Sequence, residues 1–303
     1  MLRRRRSHLN GKGRQRTRSR TAEVAAAFRA YHLIRDRPAV FEDPIAVRLI
    51  GPYLRILVTF PFLSRLLFER GNPWILPLRG QVMARARYAE DRLAGAIARG
   101  TKQYVIVGAG LDSFALRRTE LRDRLQVFEL DHPASQQWKL SRIRAAGFTV
   151  PENLKFVPVD FEKETIAEAL LRSEYRRGEA AFFSWLGTTY YISREAVMVT
   201  LKSIASIAAP GSEIVFDYGM PEERLGAQDR RLAAWVKRRT ARVGEPITTF
   251  FDPEDLSRDL ENLGLKVLEN LTGEEQRARY FAGRTDGLTA PDVSLLISVG
   301  VRI

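Results

Sequence analysis

Short apolar segments alternate with helical segments between residues 103 and 218, and this alternation limits the possible fold more than any other feature. The predicted strands lie at residues 103–107, 127–130, 154–159, 180–184 and 213–218. Strands that alternate with helices at this pitch form βαβ units, in which helices cover both faces of a parallel sheet. Two more predicted strands, at 265–271 and 293–303, close the chain. We therefore expect an α/β fold.

The rest of the chain divides into predicted parts by charge and periodicity. Residues 1–20 carry nine Arg or Lys residues and no acid, so they account for nine of the thirteen net positive charges. Such a segment is predicted to be a disordered basic tail, either a solvated arm or a contact for a polyanion. Residues 21–98 are predicted to form an N-terminal helical cap. Residues 99–303 are predicted to form the core, with a lid insertion at about 219–252 after the fifth strand.

Composition excludes several kinds of site. The chain has no cysteine, which excludes disulfides, thiolate zinc sites and a cysteine nucleophile. The chain has only three histidines, His8, His32 and His132, which are few for a histidine-rich metal site, and we expect no metal. No apolar run approaches the roughly 20 residues of a membrane span, and no signal-peptide pattern is present, so we expect a cytoplasmic protein.

The apolar region 49–78, which includes Phe60 and Phe62, allows two interpretations. It is either a buried or dimer-forming pair of helices, or a hydrophobic cap over a substrate. The sequence does not decide between them, and it leaves the oligomeric state open.

A glycine turn follows the first predicted strand. Gly108 and Gly110 stand between the strand and the next helix, where glycine lets the backbone approach a bulky ligand. The third glycine of the dinucleotide-binding pattern is replaced by Ser113. The segment is therefore either a nucleotide-type site or a tight turn without a ligand.

Acidic residues follow the next two predicted strands. Glu129 and Asp131 lie 21 and 23 positions after Gly108, near the spacing at which an acid binds ribose hydroxyls. Asp160 and Phe161 follow the third strand, where a carboxylate and a ring suit an adenine. The alternative is that these acids only cap the helices that follow.

Further candidates lie before the first strand and after the fourth. Tyr190 and Tyr191 belong to an aromatic, hydroxyl-bearing stretch that would lie at the carboxyl edge of the sheet, where they could orient a substrate or pack in the core. Arg85 or Arg87 could pair with a ligand carboxylate, although both could be surface residues. His132 could be a base but is expected to pack beside Pro133. We identify no catalytic residue.

In their order along the chain, these segments resemble one family. The matching stretches begin with Phe41-Glu42-Asp43-Pro44, Met83-Ala84-Arg85 and 103–112, and continue through 128–133, Val159-Asp160-Phe161, 186–192, Pro210-Gly211-Ser212 and Phe216-Asp217-Tyr218. Together they are similar to class I S-adenosylmethionine-dependent methyltransferases of the leucine carboxyl methyltransferase type, including O-methyltransferases of actinobacteria. The resemblance covers nearly the whole chain after the tail.

The resemblance implies a fold, a cofactor and residue roles. The implied fold is a Rossmann-like seven-stranded sheet whose last strand is antiparallel, and the implied cofactor is S-adenosyl-L-methionine. Arg85 would hold the methionine carboxylate, Gly108 and Gly110 would line the methionine and sugar, and Asp131, with Glu129, would bind the ribose. Asp160 and Phe161 would lie at the adenine.

One departure bears on the methyl acceptor. Members that methylate a protein C-terminus have Glu where this chain has Leu186, so we expect a small, rather hydrophobic molecule with a carboxylate or hydroxyl as the acceptor. Two other functions stay open at this point: a nicotinamide-dependent oxidoreductase on a similar sheet, and a nucleic-acid-binding protein that uses the Arg-rich tail. The tetrapeptide Asn/Asp-Pro-Pro-aromatic of amino-directed nucleic-acid methyltransferases is absent after the fourth strand, and we expect no nucleic-acid partner.

Overall fold

The computed structural model describes residues 20–66, 68, 72–161 and 163–301. Its centre is a seven-stranded sheet with the strand order β3-β2-β1-β4-β5-β7-β6. The strands are β1 (Gln103–Val107), β2 (Gln126–Asp131), β3 (Leu154–Pro158), β4 (Ala181–Trp185), β5 (Glu213–Gly219), β6 (Leu265–Leu271) and β7 (Ser294–Val301). Strands β1 to β5 are parallel, and β7 runs antiparallel between β5 and β6. The predicted seven-stranded α/β fold with an antiparallel last strand is confirmed.

Helices surround this sheet and form the cap. They are α1 (Arg20–Arg35), α2 (Ala46–Leu49), α3 (Pro52–Thr59), α4 (Pro61–Arg65), α5 (Ile75–Ala98), α6 (Phe114–Arg117), α7 (Pro133–Ala145), α8 (Ile166–Leu171), α9 (Arg194–Ile207), α10 (Ala227–Arg242), α11 (Pro253–Asn262) and α12 (Gly273–Tyr280). None of the described helices has both the length and the apolarity that a bilayer crossing requires.

Alternating side chains of each central strand serve two separate cores. In β1, Tyr104 and Ile106 join a cluster with the cap helices, whereas Val105 and Val107 join a cluster with α8 and α9. Because both faces of the sheet are covered, its strands are apolar along their whole length rather than alternating with polar residues. This explains why strands were the clearest prediction from the sequence.

The cap begins one residue before the predicted boundary, because Arg20 is the first residue of α1. The remainder of the predicted tail lies outside the described residues. Asp43 was expected to cap a helix, and its carboxylate does accept the backbone N–H groups of Ile45 and Ala46. The same carboxylate pairs with Arg29 at 2.8 Å and accepts the Ser113 hydroxyl at 2.7 Å. Asp43 therefore ties the cap to the segment that follows the glycine turn.

The apolar region 49–78 is only partly buried. Phe60 and Phe62 are 59% and 79% exposed, so neither of the two side chains that suggested a substrate cap faces the interior. Leu54 and Leu57, on the other face of α3, line a cavity instead. The region is therefore not wholly buried, the dimer-forming pair of helices stays a prediction, and the idea of a substrate cap rests on Leu54 and Leu57.

The segment after β5 contains α10, as expected for the predicted insertion at about 219–252. The charged segment between β6 and β7 contains an unpredicted helix, α12. Thr272 and Glu275 form a capping box at its start, which is a sequence signature of a helix N-terminus.

Candidate functional site

A large cavity of about 2070 Å³ lies at the carboxyl ends of the parallel strands. The glycine turn after β1 forms part of its wall. Gly108 and Gly110 have φ values of +67° and +51°, in the left-handed region that glycine adopts without strain. An added Cβ at Gly108 would lie 2.8 Å from Thr188, so the turn has no room for a side chain there. The turn thus exposes bare backbone to the cavity.

Asp131, at the end of β2, holds this turn in place. One carboxylate oxygen accepts the Gly110 N–H at 2.7 Å, and the other accepts the His132 N–H at 2.7 Å. A carboxylate has about four lone-pair sites, so each oxygen can accept one more hydrogen bond. Asp131 also lines the cavity. It can therefore bind a pair of neighbouring hydroxyl groups while it orients the turn.

Arg85 places a cation in the cavity wall. Its Nη1 lies 3.3 Å from the carboxylate of Asp217, whose side chain is fully buried in β5. Burial is the largest effect and lowers the pKa of Arg85, but Asp217, Tyr190 and Tyr191 together raise that pKa by more, so Arg85 stays charged. The guanidinium carries five N–H donors, which leaves donors for a ligand carboxylate.

Gly187 allows this arginine to approach the loop after β4. Its φ is +70°, and an added Cβ would lie 2.6 Å from a guanidinium nitrogen of Arg85. The Gly187 N–H donates to Asp217 at 2.6 Å. Asp217 thus fixes both the arginine and the loop above it.

The two predicted substrate-binding tyrosines have different surroundings. The hydroxyl of Tyr190 is buried and bonded to Asp217, Ser294 and Gln81, so it holds Asp217 in place. Tyr191 is more accessible, and burial raises its pKa to about 12. Burial raises the pKa of Tyr190 as well, and both phenols stay protonated at neutral pH. Both rings line the cavity, but Tyr190 is hydrogen-bonded to Asp217, whereas the Tyr191 hydroxyl bonds to Thr21.

Two predicted cofactor residues do not line the cavity. The Glu129 side chain is 2% exposed and forms an ion pair with Lys139, which is equally buried, so its carboxylate is turned away from the turn that Asp131 faces. Burial raises its pKa to about 7, although Lys139 acts in the opposite direction. Asp160 pairs with Lys163 at 2.6 Å, whereas Phe161 lines the cavity and is 40% exposed. Neither Glu129 nor Asp160 is among the residues that line the cavity, and their roles toward a cofactor stay predictions.

Neither described histidine is placed as a proton acceptor. His32 is fully buried, with Nδ1 bonded to Asp36 at 2.7 Å and Nε2 accepting the Val40 N–H. In His132, Nδ1 accepts the Ala134 N–H at 3.2 Å and so caps α7, which leaves the proton of the neutral ring on Nε2. His8 lies outside the described residues. No group of three or more potential metal ligands occurs in the part of the chain that the structure describes.

The cap and the segment after β5 meet over the glycine turn. The backbone N–H of Thr21, at the start of α1, donates to Glu245 at 3.3 Å. An added Cβ at Gly110 would lie 3.0 Å from Ala22. Thr21, Ala22 and Glu245 all line the cavity. The first turn of α1 therefore covers the site and is fastened to the insertion.

The model of the family described as "Leucine carboxyl methyltransferase" matches residues 22–205, more than half of the chain. The chain belongs to the leucine carboxyl methyltransferase family. Among its relatives, "Putative S-adenosyl-L-methionine-dependent methyltransferase YktD" of Bacillus subtilis is 36% identical over 290 residues, which cover 90% of this chain and 94% of that protein. A protein with the same description from Mycobacterium avium is 29% identical over 85% of this chain and 82% of its own length.

Solved structures support the fold of this family member. A DUF574 family protein from Streptomyces avermitilis has a TM-score of 0.60 at 14% identity, covering 91% of this chain and 97% of that one. A chain from Thermobifida fusca, described as a "putative methyltransferase", has a TM-score of 0.59 at 14% identity, covering 98% and 100%. The family match removes the oxidoreductase alternative, and the strand beside β5 is the antiparallel β7 rather than a parallel strand.

The residues of this methyltransferase fit S-adenosyl-L-methionine. Asp131 offers free lone pairs to ribose hydroxyls, Gly108 and Gly110 expose backbone, and Arg85 offers donors to an amino-acid carboxylate. In addition, Thr188 Oγ1 is buried beside Gly108 and has no hydrogen-bond partner among the described residues, although buried hydroxyls are normally paired. A polar ligand in the cavity would supply that partner.

Sequence reasoning assigned no role to Asp217 or Thr188. Asp217 had a signal, because a charged residue inside a strand that is buried at all seven positions needs a partner. Thr188 had none, since its importance comes from a contact with Gly108 across the fold. Arg87, the alternative to Arg85, pairs with Asp91 on the surface.

Proposed function

We propose that this chain transfers a methyl group from S-adenosyl-L-methionine to an oxygen atom of a small, rather hydrophobic molecule, with a carboxylate or an acidic phenol as the preferred acceptor. The cofactor residues of the proposal are Arg85, Gly108, Gly110, Asp131 and Phe161. When bound, the cofactor supplies an electrophilic methyl group on a sulfonium. Neither Glu129 nor Asp160 is part of the proposed site.

The size and lining of the cavity support a second, apolar ligand. Ligand pockets typically enclose roughly 300–1,000 Å³, so 2070 Å³ leaves room for an acceptor beside the cofactor. Apolar side chains from the cap and from the insertion line it, among them Leu54, Leu57, Ile75, Trp235, Val236 and Phe250. A cavity so lined favours an apolar acceptor and excludes water from the reacting atoms.

Among the described residues, no histidine or tyrosine of the cavity is placed as a proton acceptor, and this supports the preference for an acidic oxygen. His132 has its basic nitrogen occupied, His32 is buried away from the cavity, and the pKa of Tyr191 is about 12. A neutral alcohol needs a general base within hydrogen-bond reach, whereas a carboxylate attacks without one. The chain then contributes by orienting the cofactor and the acceptor in near contact and by excluding water from them.

The test is methyl incorporation from S-adenosyl-L-methionine labelled in its methyl group, with a panel of hydrophobic carboxylic acids, phenols and alcohols. Each acid is paired with its primary amide as a control of the same shape. We expect transfer to acids or acidic phenols, with esters recognised by their release in mild alkali. Transfer only to the amides, to other nitrogen acceptors or to simple alcohols would refute the preference. Cytoplasmic location stays a prediction of the sequence.

A further inference from the structure

The cap carries a group of exposed apolar side chains that the proposed reaction does not use. We define the cap apolar patch as Tyr53, Ile56, Phe60, Phe62, Leu63 and Leu66. Among the described residues, these are six of twelve exposed large apolar side chains, and they fall within fourteen consecutive positions. The other six are scattered singly along the chain. Single exposed apolar residues are normal, but contiguous patches mark interaction surfaces.

Helix α3 separates the patch from the cavity. Tyr53, Ile56 and Phe60 recur at helical spacing and face outward, with Tyr53 73% exposed. Leu54 and Leu57, which are partly buried, line the cavity. The patch is thus the outer side of the wall that is proposed to contact the acceptor.

The arginines around the patch indicate a partner with negative charge. Residues 44–66 contain Arg48, Arg55 and Arg65 and no acid. Arg55 and Arg65 are exposed beside the patch. Arg55 donates to the backbone carbonyls of Val47 and Arg48 and keeps its charge at the surface, whereas Arg65 can extend toward headgroups while neighbouring apolar side chains enter the lipid. Aromatic and aliphatic side chains flanked by cations are typical of surfaces that lie in the interface of an anionic bilayer.

A second copy of the chain fits this surface less well. A two-fold interface places the same patch of both copies face to face. It would bring Arg55 and Arg65 of each copy into one interface, and residues 44–66 offer no carboxylate to neutralise them.

We propose that the cap apolar patch binds the surface of an anionic lipid bilayer. The chain would lie on the membrane without crossing it, with Phe60 and Phe62 inserted at the level of the headgroups. If the proposed function holds, this contact would place the outer wall of the acceptor cavity against a source of apolar acceptors. The membrane contact itself is independent of methyl transfer.

The test is co-sedimentation of the full chain with vesicles of phosphatidylcholine, with or without phosphatidylglycerol. We expect binding to the vesicles that contain phosphatidylglycerol, and a loss of at least about tenfold in affinity in the Phe60→Ser/Phe62→Ser variant, since each aromatic side chain loses its apolar contact. The matched control is Val150→Ser/Leu171→Ser, which removes two exposed apolar residues outside the patch and should change affinity less than about twofold.

Three results would overturn the proposal. One is an absence of binding to either kind of vesicle. Another is unchanged binding by Phe60→Ser/Phe62→Ser, which would assign any binding to the basic residues 1–19 instead. The third is a dimer, detected by light scattering, that the same variant converts to a monomer without any change in vesicle binding. Methyl transfer to water-soluble acceptors tests the proposed function separately, because the variant should retain it.

Discussion

Replacing Asp131 by Asn tests the centre of the proposed cofactor site with almost no change in volume. The carboxylate accepts the N–H groups of Gly110 and His132, each at 2.7 Å, and is proposed to accept two ribose hydroxyls as well. An amide has one oxygen, and its NH2 group cannot accept. In the variant, either a backbone N–H or a ribose hydroxyl must lose its acceptor, and the remaining bonds lose the assistance of the charge.

The expected loss of cofactor affinity follows from these bonds. A hydrogen bond to a charged group contributes about 1.5–3 kcal/mol. With one such bond lost and the others weakened, we expect a loss of about 2–4 kcal/mol in binding free energy, which corresponds to a Kd raised about 30- to 700-fold. The fold should persist, because Asp131 lies at the end of β2 and its side chain is partly exposed.

Isothermal titration with S-adenosylhomocysteine measures this loss without any need for an acceptor. Circular dichroism and thermal unfolding of the variant show whether it is folded. The matched control is Asp160→Asn, just after the end of the next strand; its carboxylate is not part of the cavity lining and pairs with Lys163, which is. We expect the control to change Kd less than about threefold. If Asp131→Asn binds as tightly as the unaltered chain, or if Asp160→Asn weakens binding equally, the assignment of the ribose site to Asp131 is refuted.

Three further substitutions test the surroundings of the site. Gly187→Ala should weaken S-adenosylhomocysteine binding by at least about tenfold, because its Cβ would lie 2.6 Å from Arg85. The control Gly211→Ala has a φ of +86° but no atom within 3.8 Å of its Cβ, so it should strain the backbone equally and leave binding unchanged. An equal dissociation constant for the two variants would contradict this prediction. Glu129→Gln should lower the free energy of unfolding in urea by about 3–5 kcal/mol, because it leaves the buried Lys139 unpaired. The folded variant should bind S-adenosylhomocysteine with unchanged affinity. A loss of that affinity without a loss of stability would restore Glu129 to the ribose site. Asp43→Asn should lower the free energy of unfolding by about 3 kcal/mol at neutral pH. Burial raises the pKa of Asp43, but Arg29 and Arg117 lower it by more, so the folded state has the lower pKa. The stability that Asp43 adds is therefore present above its unfolded pKa and is lost as the pH falls below about 4. Unfolding in urea at pH 7 and pH 3 should show that the variant loses this pH dependence of stability, and an unchanged dependence would exclude Asp43 as its source.

The sheet could be predicted from the sequence because burial on both faces makes its central strands mainly apolar. Five predicted strands overlap β1 to β5 with ends that differ by at most one residue, and the two closing strands match β6 and β7. The helix α12 was missed because it is short and charged, although its capping box was visible in the sequence. Local patterns therefore identified the elements that bury apolar surface and overlooked an element held mainly at its first turn.

The site was predictable where it depended on a single strand end. Asp131 and Gly110 are 21 positions apart, yet the parallel pairing of β1 and β2 brings them into hydrogen-bond contact, as the βαβ pattern implies. Glu129 looked equivalent, because it has nearly the same spacing from Gly108. A position two residues earlier in a strand points to the same face but lies deeper in the sheet, where Lys139 of α7 neutralises it. Spacing alone cannot show which of two acids is the last in its strand.

The cap shows the same limit for helices. Residues 53–60 have apolar side chains on both sides of one short helix, and a period of 3.6 residues separates the two sides without showing which one faces the protein. Phe60 and Phe62 attracted attention because they are large, but Val58, Leu54 and Leu57 face inward, where α3 contacts α1 and lines the cavity. The side chains at residues 53, 56 and 60 are apolar although they are exposed, so this segment carries more apolar surface than the protein buries. Because residues 44–66 carry three arginines and no acid, a partner with negative charge around an apolar interior accounts for both properties of that surface.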